Sequence, residues 1–283
     1  MSARDSTRDL ALYYDELHRW TAKDKDFQAF SGRENDTIRR FLVDAETGAF
    51  SPGTIYKFVD PHIATLTPIR GLDAGSGYGG TCFRCLHVHG GHWTGVTISP
   101  EQWASAKEIA KTRGFERRID FHLSSYDAPL PGCFNVVMAI ESLIHSGDPA
   151  HTITNLASAL DPGGRFILID DMPVEAIPED DKAILAAFKR CWRCPVAPTA
   201  EGWIAMAAAA GLHLLKRKDL SDLMKPRAEG DLDAAFADLA SQADTKASAG
   251  FARLSEAELG GLHLERLHRR GSVRYTMLVF EKR

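Results

Sequence analysis

Residues 71–80 read Gly-Leu-Asp-Ala-Gly-Ser-Gly-Tyr-Gly-Gly. Ile69 and Leu72 lead into the stretch as a short apolar strand, with Pro68 before it and Asp73 at its end. Gly75, Gly77 and Gly79 then turn the chain tightly enough for backbone to lie against a ligand, which side chains would prevent. A helix is expected from about Thr81, so that its first N–H groups point at whatever sits over the glycines. Strand, glycine loop and helix together describe a nucleotide-type cofactor site on a parallel α/β sheet.

Working outward, the chain before the loop is helical in pattern. Leu10, Tyr13, Tyr14 and Leu17 recur at helical spacing, a second helix is expected around Asp36 to Val43, and a further one over Thr54 to Leu66. After the loop, strands and helices alternate. Trp93 to Ile98 forms a second strand, and Ser99, Pro100 and Gln102 mark the start of the next helix, which Gly114 ends. Ile119 to Leu123 is a third strand, and the apolar run Phe134 to Ile140 suits a central parallel strand covered on both faces. Ile153, Leu156, Ala157 and Leu160 form a helical stripe, Phe166 to Ile169 a fifth strand, and Leu212 to Lys216 and Val273 to Phe280 the last two. Between those two, residues 221–272 look helical, with an Ala-rich stretch (Leu232 to Gln242) and a capping box at Ser255 to Glu258. An insertion of that size at a strand end reads as a cover. The division expected is a cap (1–66), a core (67–220), a helical lid (221–272) and a last core strand (273–283).

Two cofactor classes fit the loop. Gly75, Gly77 and Gly80 satisfy the dinucleotide pattern G-x-G-x-x-G, a weak signal alone. A nicotinamide or flavin site usually has that loop near the N-terminus of its domain and an acidic residue ending the second strand. Here some seventy residues precede the loop and Thr97 stands at the strand end. The pattern Asp73-x-Gly75-x-Gly77-x-Gly79 instead resembles motif I of the class I S-adenosylmethionine (SAM) dependent methyltransferases. Residues 95–102, 134–145 and 160–169 resemble the later motifs of the small-molecule members. Tyr13-Tyr14-Asp15 matches a signature of the group that contains sterol, γ-tocopherol, cyclopropane-fatty-acid and natural-product enzymes.

That resemblance implies a Rossmann-like, seven-stranded, mostly parallel sheet with helices on both faces and the last strand antiparallel. It implies SAM as cofactor, held by Asp73, Gly75, Gly77 and Gly79, with Ile140 at the end of the fourth strand. Many relatives grip the ribose with an acidic residue where this chain has Thr97, so Thr97 and the nearby Gln102 are expected to take over with weaker, neutral hydrogen bonds. The adenine-binding position falls at Ser125-Tyr126-Asp127 and its register stays open. Tyr13 and Tyr14 are candidates to line the substrate cavity.

Methyl transfer from a sulfonium is an in-line displacement on an activated donor, so the enzyme mainly aligns the partners and keeps water out. A base is needed only where the nucleophile loses a proton. Glu141 and His145, just past the fourth strand, are the candidates for base or anchor. Asp170 and Asp171 end the fifth strand, Asp171 as a candidate substrate contact. With Glu141 they form three carboxylates at neighbouring strand ends, an oxygen set able to hold a divalent cation. The group resembled is mostly metal-free, so no metal is assigned. Cys82-x-x-Cys85 and Cys191-x-x-Cys194 suggest zinc only superficially.

The net charge of −4 over 283 residues gives no reason to expect nucleic acid, and no apolar run is long enough to span a bilayer. The charged N-terminus and five cysteines suit a reduced cytoplasmic protein. The expectation is thus a SAM-dependent methyltransferase of an apolar or amphipathic small molecule (natural product, terpenoid or lipid), acting at carbon or oxygen. The alternatives are a Mg-assisted C-methyltransferase of an isoprenoid diphosphate, a non-catalytic SAM-binding protein and an NAD-dependent oxidoreductase. Self-association is left open.

Overall fold

The computed structural model describes residues 3–21, 39–243 and 249–283. Its centre is a seven-stranded sheet in the order β5-β4-β3-β6-β7-β9-β8. The strands are β3 (Arg70–Ala74), β4 (His92–Thr97), β5 (Ile119–Leu123), β6 (Phe134–Ile140), β7 (Leu160–Pro173), β8 (Leu212–Asp219) and β9 (Val273–Lys282). Pairings from β5 across to β7 are parallel, and β9 runs antiparallel to both β7 and β8. The chain leaves β3 in one direction to build β4 and β5 and returns to its other side to build β6 and β7. The crevice beyond the carboxyl ends of β3 and β6 is therefore the switch point at which such sheets bind ligands.

Alternate residues of the central strands feed two cores. Val136, Met138 and Ile140 of β6 join Ile167 and Ile169 on one face, while Val137 and Ala139 join Leu72, Phe166 and Leu168 on the other. A strand that buries both faces has to be apolar throughout, which is why its sequence shows no alternation. The flanking helices are α2 (Tyr56–Ile63), α3 (Gly80–His89), α4 (Pro100–Thr112), α5 (Pro149–Ser158), α6 (Glu179–Cys191) and α7 (Ala200–Ala209). Helix α4 begins as its sequence foretells: Ser99 Oγ accepts from the Gln102 N–H at 3.1 Å and Pro100 takes the first turn.

Helix α1 (Ala3–Thr21) lies across the carboxyl end of the sheet, against α4. Asp15 fixes it there, accepting from Ser99 Oγ at 2.5 Å and from the Glu101 N–H at 3.3 Å. Helices α8 (Glu229–Ala243) and α9 (Ala249–Arg270) fill the stretch before β9. Leu264 and Leu267 of α9 pack with Ile144, Phe188 and Val273, and α9 comes so close to Trp192 that a Cβ on Gly260 would lie 2.2 Å from its ring.

Three expectations need correcting. Of the helix foreseen over Asp36 to Val43, residues 36–38 lie outside the described residues. Leu42–Val43 is a strand (β1) pairing with Phe50–Ser51 (β2), because the turn at residues 44–48, closed by the Asp44 carboxylate, doubles the chain back. Ser255 does not start a helix but lies inside α9. Leu160 belongs to β7, opposite Phe134, and not to the helical stripe before it.

Candidate active site

A cavity of about 430 Å³ opens at the carboxyl ends of β3, β4, β6 and β7. It gathers Asp73, Gly75, Gly77, Thr97, Gln102, Tyr126, Asp127, Ile140, Glu141, His145 and Asp171, all singled out from sequence, under a roof that includes Tyr13 and Tyr14. Gly79 is the exception. It takes φ +86° at the start of α3, and a Cβ there would lie 2.3 Å from the Phe121 ring, so its lack of a side chain serves packing against β5 and not the cavity wall. The described residues lining the cavity include none from 221–272. The roof consists of α1 and the turn after α6, and α9 braces that turn from behind.

At the glycine end, Gly75 and Gly77 both take left-handed φ, +86° and +54°. A Cβ on Gly75 would strike the Cβ of Ser142 at 2.5 Å, whereas one on Gly77 would meet nothing within 4 Å and would project into the open cavity. Asp73 is buried, and burial pushes its carboxyl up to about 6 against the opposing pull of Arg39 and Thr81. Beside it Ser76 Oγ is buried without a protein hydrogen-bond partner. Across the loop, Thr97 Oγ1 donates to Gln102 Oε1 at 3.1 Å, both side chains being buried. Tyr126 donates to the Ser142 carbonyl at 3.2 Å, and the Asp127 carboxylate accepts from Thr152.

Tyr14 and His145 meet at the other end, Tyr14 Oη and His145 Nε2 being 2.6 Å apart. Burial lowers the His145 ring to about 4, more than hydrogen bonding to the backbone at Arg193 and Trp192 raises it. The imidazole is therefore neutral near pH 7. Cys194 Sγ lies 3.9 Å from Nδ1, so that nitrogen faces the turn after α6 and Nε2 faces Tyr14 of the roof. Glu141 is held in a strained left-handed backbone (φ +55°). Its Oε1 accepts from Tyr275 Oη at 2.6 Å and both oxygens accept from the Arg40 N–H. Burial raises its carboxyl against the pull of Arg40 and Tyr275. Asp171 is bound by Arg40 and His268, each at 2.6 Å, and together they outweigh burial and hold its carboxyl below the usual range. Asp170 accepts from the backbone N–H groups of Ile144 and Asp171, and burial, with Asp171 next to it, pushes it well up.

A family model described as a methyltransferase domain matches residues 68–208, the stretch from before the glycine loop through α7. The chain is a class I SAM-dependent methyltransferase. The O-methyltransferase rstn1 of Aspergillus nomiae is 28% identical to the methyltransferase over 162 residues, 56% of this chain and 71% of its own. The ajmaline N-methyltransferase of Rauvolfia serpentina is 26% identical over 180 residues, 60% of each chain. Among solved structures the (4+2)-cyclase SpnF superposes with a TM-score of 0.73 at 21% identity, over 98% of this chain and 96% of its own, a likeness of fold.

The methyltransferase uses SAM, and the glycine end fits it. Gly77 leaves room where a side chain would intrude, and Thr97 with Gln102 presents a neutral pair. Losing one neutral hydrogen bond costs about 0.5–1.5 kcal/mol, so Thr97→Ala and Gln102→Ala are each expected to weaken SAM only several-fold in calorimetry. Unchanged affinity in both would assign the ribose to another residue.

Several residues at or beside the methyltransferase's cavity carried no sequence signal. Arg39 and Arg40 lie more than thirty residues upstream of the loop, outside any motif, and His268 and Tyr275 are brought beneath the cavity only by the return of α9 and β9. Trp192 lines the cavity, whereas Trp203 is wholly buried in the core. Cys82 and Cys85 are buried beneath the glycine loop, and among the described residues no three His, Cys, Asp or Glu side chains gather as metal ligands. No described helix is long and apolar enough to cross a membrane.

Proposed function

We propose that this methyltransferase alkylates a hydroxyl group on an apolar or amphipathic small molecule, with His145 as the base. One observation carries the reading: a buried, neutral imidazole lines the cavity with its Nε2 hydrogen-bonded to Tyr14 of the roof. When bound, SAM supplies the activated methyl group. Asp73, Gly75, Gly77, Thr97 and Gln102 hold the cofactor, with Tyr126, Asp127 and Ile140 around its base. His145 Nε2 takes the proton that the acceptor hydroxyl loses as it is alkylated, and its other nitrogen stays turned to the backbone. Tyr14 shares that lone pair in the resting enzyme and keeps the ring aimed into the cavity. Leu10, Leu17, Ile144 and Trp192 supply apolar wall and exclude water from the transfer.

Glu141 takes a positioning part, because both its oxygens already accept from Tyr275 and Arg40. The same holds for Asp170 and Asp171, whose oxygens are matched by backbone N–H groups, Arg40 and His268. That matching favours direct hydroxyl alkylation over a cation-bridged diphosphate substrate. The O-methyltransferase among the relatives is in keeping with it. Methyl-labelled SAM offered with a panel of lipophilic phenols, alcohols, amines and prenyl alkenes tests the proposal. Label is expected in phenol or alcohol ethers. Label confined to alkylated alkenes would transfer the base role to Glu141 and sink the proposal.

A further inference from the structure

Arg193 stands in the turn after α6 at φ +53°, a left-handed backbone that a residue with a side chain keeps only where its contacts over-determine it. Those contacts come from three elements. Its Nε donates to Asp9 of α1 at 3.1 Å, its Nη2 to Glu256 of α9 at 2.7 Å, and its Nη1 to the Cys191 carbonyl at 2.7 Å. The guanidinium also lies 4.8 Å from the centre of the Tyr13 ring. Trp192, the residue before it, donates to the Ala257 carbonyl of α9 at 2.8 Å. One side chain therefore ties the roof helix to α9.

The same residue reaches the proposed base. The backbone of Arg193 and Trp192 hydrogen-bonds the His145 ring, and Cys194 Sγ of the same turn lies 3.9 Å from Nδ1. The far side of the ring is held through α1. Tyr13 meets Tyr14 edge-on at 5.3 Å, and Tyr14 Oη lies 2.6 Å from His145 Nε2. Guanidinium, Tyr13, Tyr14, imidazole and turn thus close a circuit that begins and ends at Arg193. In a neutral imidazole the partner of one nitrogen decides where the proton sits. Backbone carbonyls beside Nδ1 keep the proton there and the lone pair on Nε2.

We infer that Arg193 is a positioning residue that couples the roof to the base: with α1 seated on its guanidinium, the turn presents its carbonyls to Nδ1 and keeps the lone pair on Nε2. The inference rests on His145 being the base, and it makes the readiness of that base depend on a closed roof that excludes water. The Asp9 and Glu256 side chains are 41% and 38% exposed, so each ion pair alone is weak and the coupling is modest.

Nitrogen NMR on the full chain labelled in its histidines, with His145 assigned from His145→Gln, reads the tautomer directly. It needs neither acceptor nor turnover, so it stands apart from the choice of base, which His145→Ala tests. The wild-type protein at pH 7 is expected to hold the proton on Nδ1. Arg193→Gly removes the guanidinium, and glycine adopts φ +53° without strain. The ratio of Nδ1–H to Nε2–H forms should then fall by about 3- to 10-fold, the worth of one hydrogen bond. Asp9→Ala parts the roof from an intact Arg193 and should act alike, so the test survives if one variant does not fold. Arg193→Lys keeps a charge for one of the two acids and should fall between. Arg19→Ala is the control: it breaks the Arg19–Glu101 pair (3.0 Å) elsewhere on α1 and should leave the ratio as it was. An unchanged ratio in Arg193→Gly or Asp9→Ala would make Arg193 a structural tie alone and overturn the inference. An equal fall in Arg19→Ala, or a wild-type proton on Nε2, would overturn it too.

Discussion

Gly77→Val is expected to lose at least about 100-fold in SAM affinity while the protein stays folded. The space into which the new side chain would grow contains no protein atom within 4 Å, so the cofactor alone competes for it. The variant does carry backbone strain, since Gly77 sits at φ +54° and a β-branched residue there costs roughly 1–3 kcal/mol. That strain lowers the melting temperature by several degrees and has to be separated from the loss of binding. Gly114 provides the control. It too is left-handed (φ +70°), with nothing within 4 Å of its would-be Cβ, and it lies outside the cavity lining. Gly114→Val should suffer similar strain and bind SAM normally. If both variants lose SAM alike, strain is responsible and the loop is not shown to hold the cofactor. A Gly77→Val protein with normal affinity would be equally damaging.

The second large effect concerns His145. Removing a general base costs about 10²- to 10⁴-fold in rate, so His145→Ala should lose turnover on that scale with SAM affinity nearly unchanged. The pH dependence discriminates further. A histidine base works while deprotonated, and burial lowers this one from 6.5 to about 4. With SAM saturating, the rate attributable to His145 should hold as the pH falls through 6.5 and be lost only near pH 4. Saturation matters, because Asp73, raised to about 6, loses its charge earlier and would weaken SAM capture on the same descent. An acid limb near 6.5 at saturation, absent in the Ala variant, would place the working histidine in a wetter setting than the structure gives it. Full turnover by His145→Ala would remove it from the mechanism.

The parts of this fold that could be read from sequence were those in which local chemistry and tertiary fate agree. Phe134 to Ile140 is apolar at every step but Asn135 because both of its faces are covered, and Ser99-Pro100 with Gln102 can cap a helix whatever packs around it. The errors arose where a distant partner decides. Leu42 and Val43 look helical until the hairpin at Asp44 pairs them with Phe50 and Ser51, and Ser255 carries a capping pattern that the longer helix overrides. The candidate site divides the same way. Asp73, Gly75 and Gly77 declare themselves within one short motif. Arg39 reaches the cavity wall, and Arg40, His268 and Tyr275 reach the carboxylates of Asp171 and Glu141, from opposite ends of the chain, and no spacing between neighbours could announce them. Gly79 shows the reverse hazard: a motif glycine that answers to Phe121 rather than to the ligand.

Asp15 sets how far the acceptor chamber can be redesigned. Its carboxylate grips Ser99, the residue that also caps the helix bearing Gln102, so the roof and the Thr97–Gln102 pair hang from one peg. Changes to that peg would move both at once. Leu10 and Leu17 lie on the same helix, face the chamber and make no such polar tie. They are the positions at which a library could trade acceptor size and shape while the hold on the methyl donor is left as it stands.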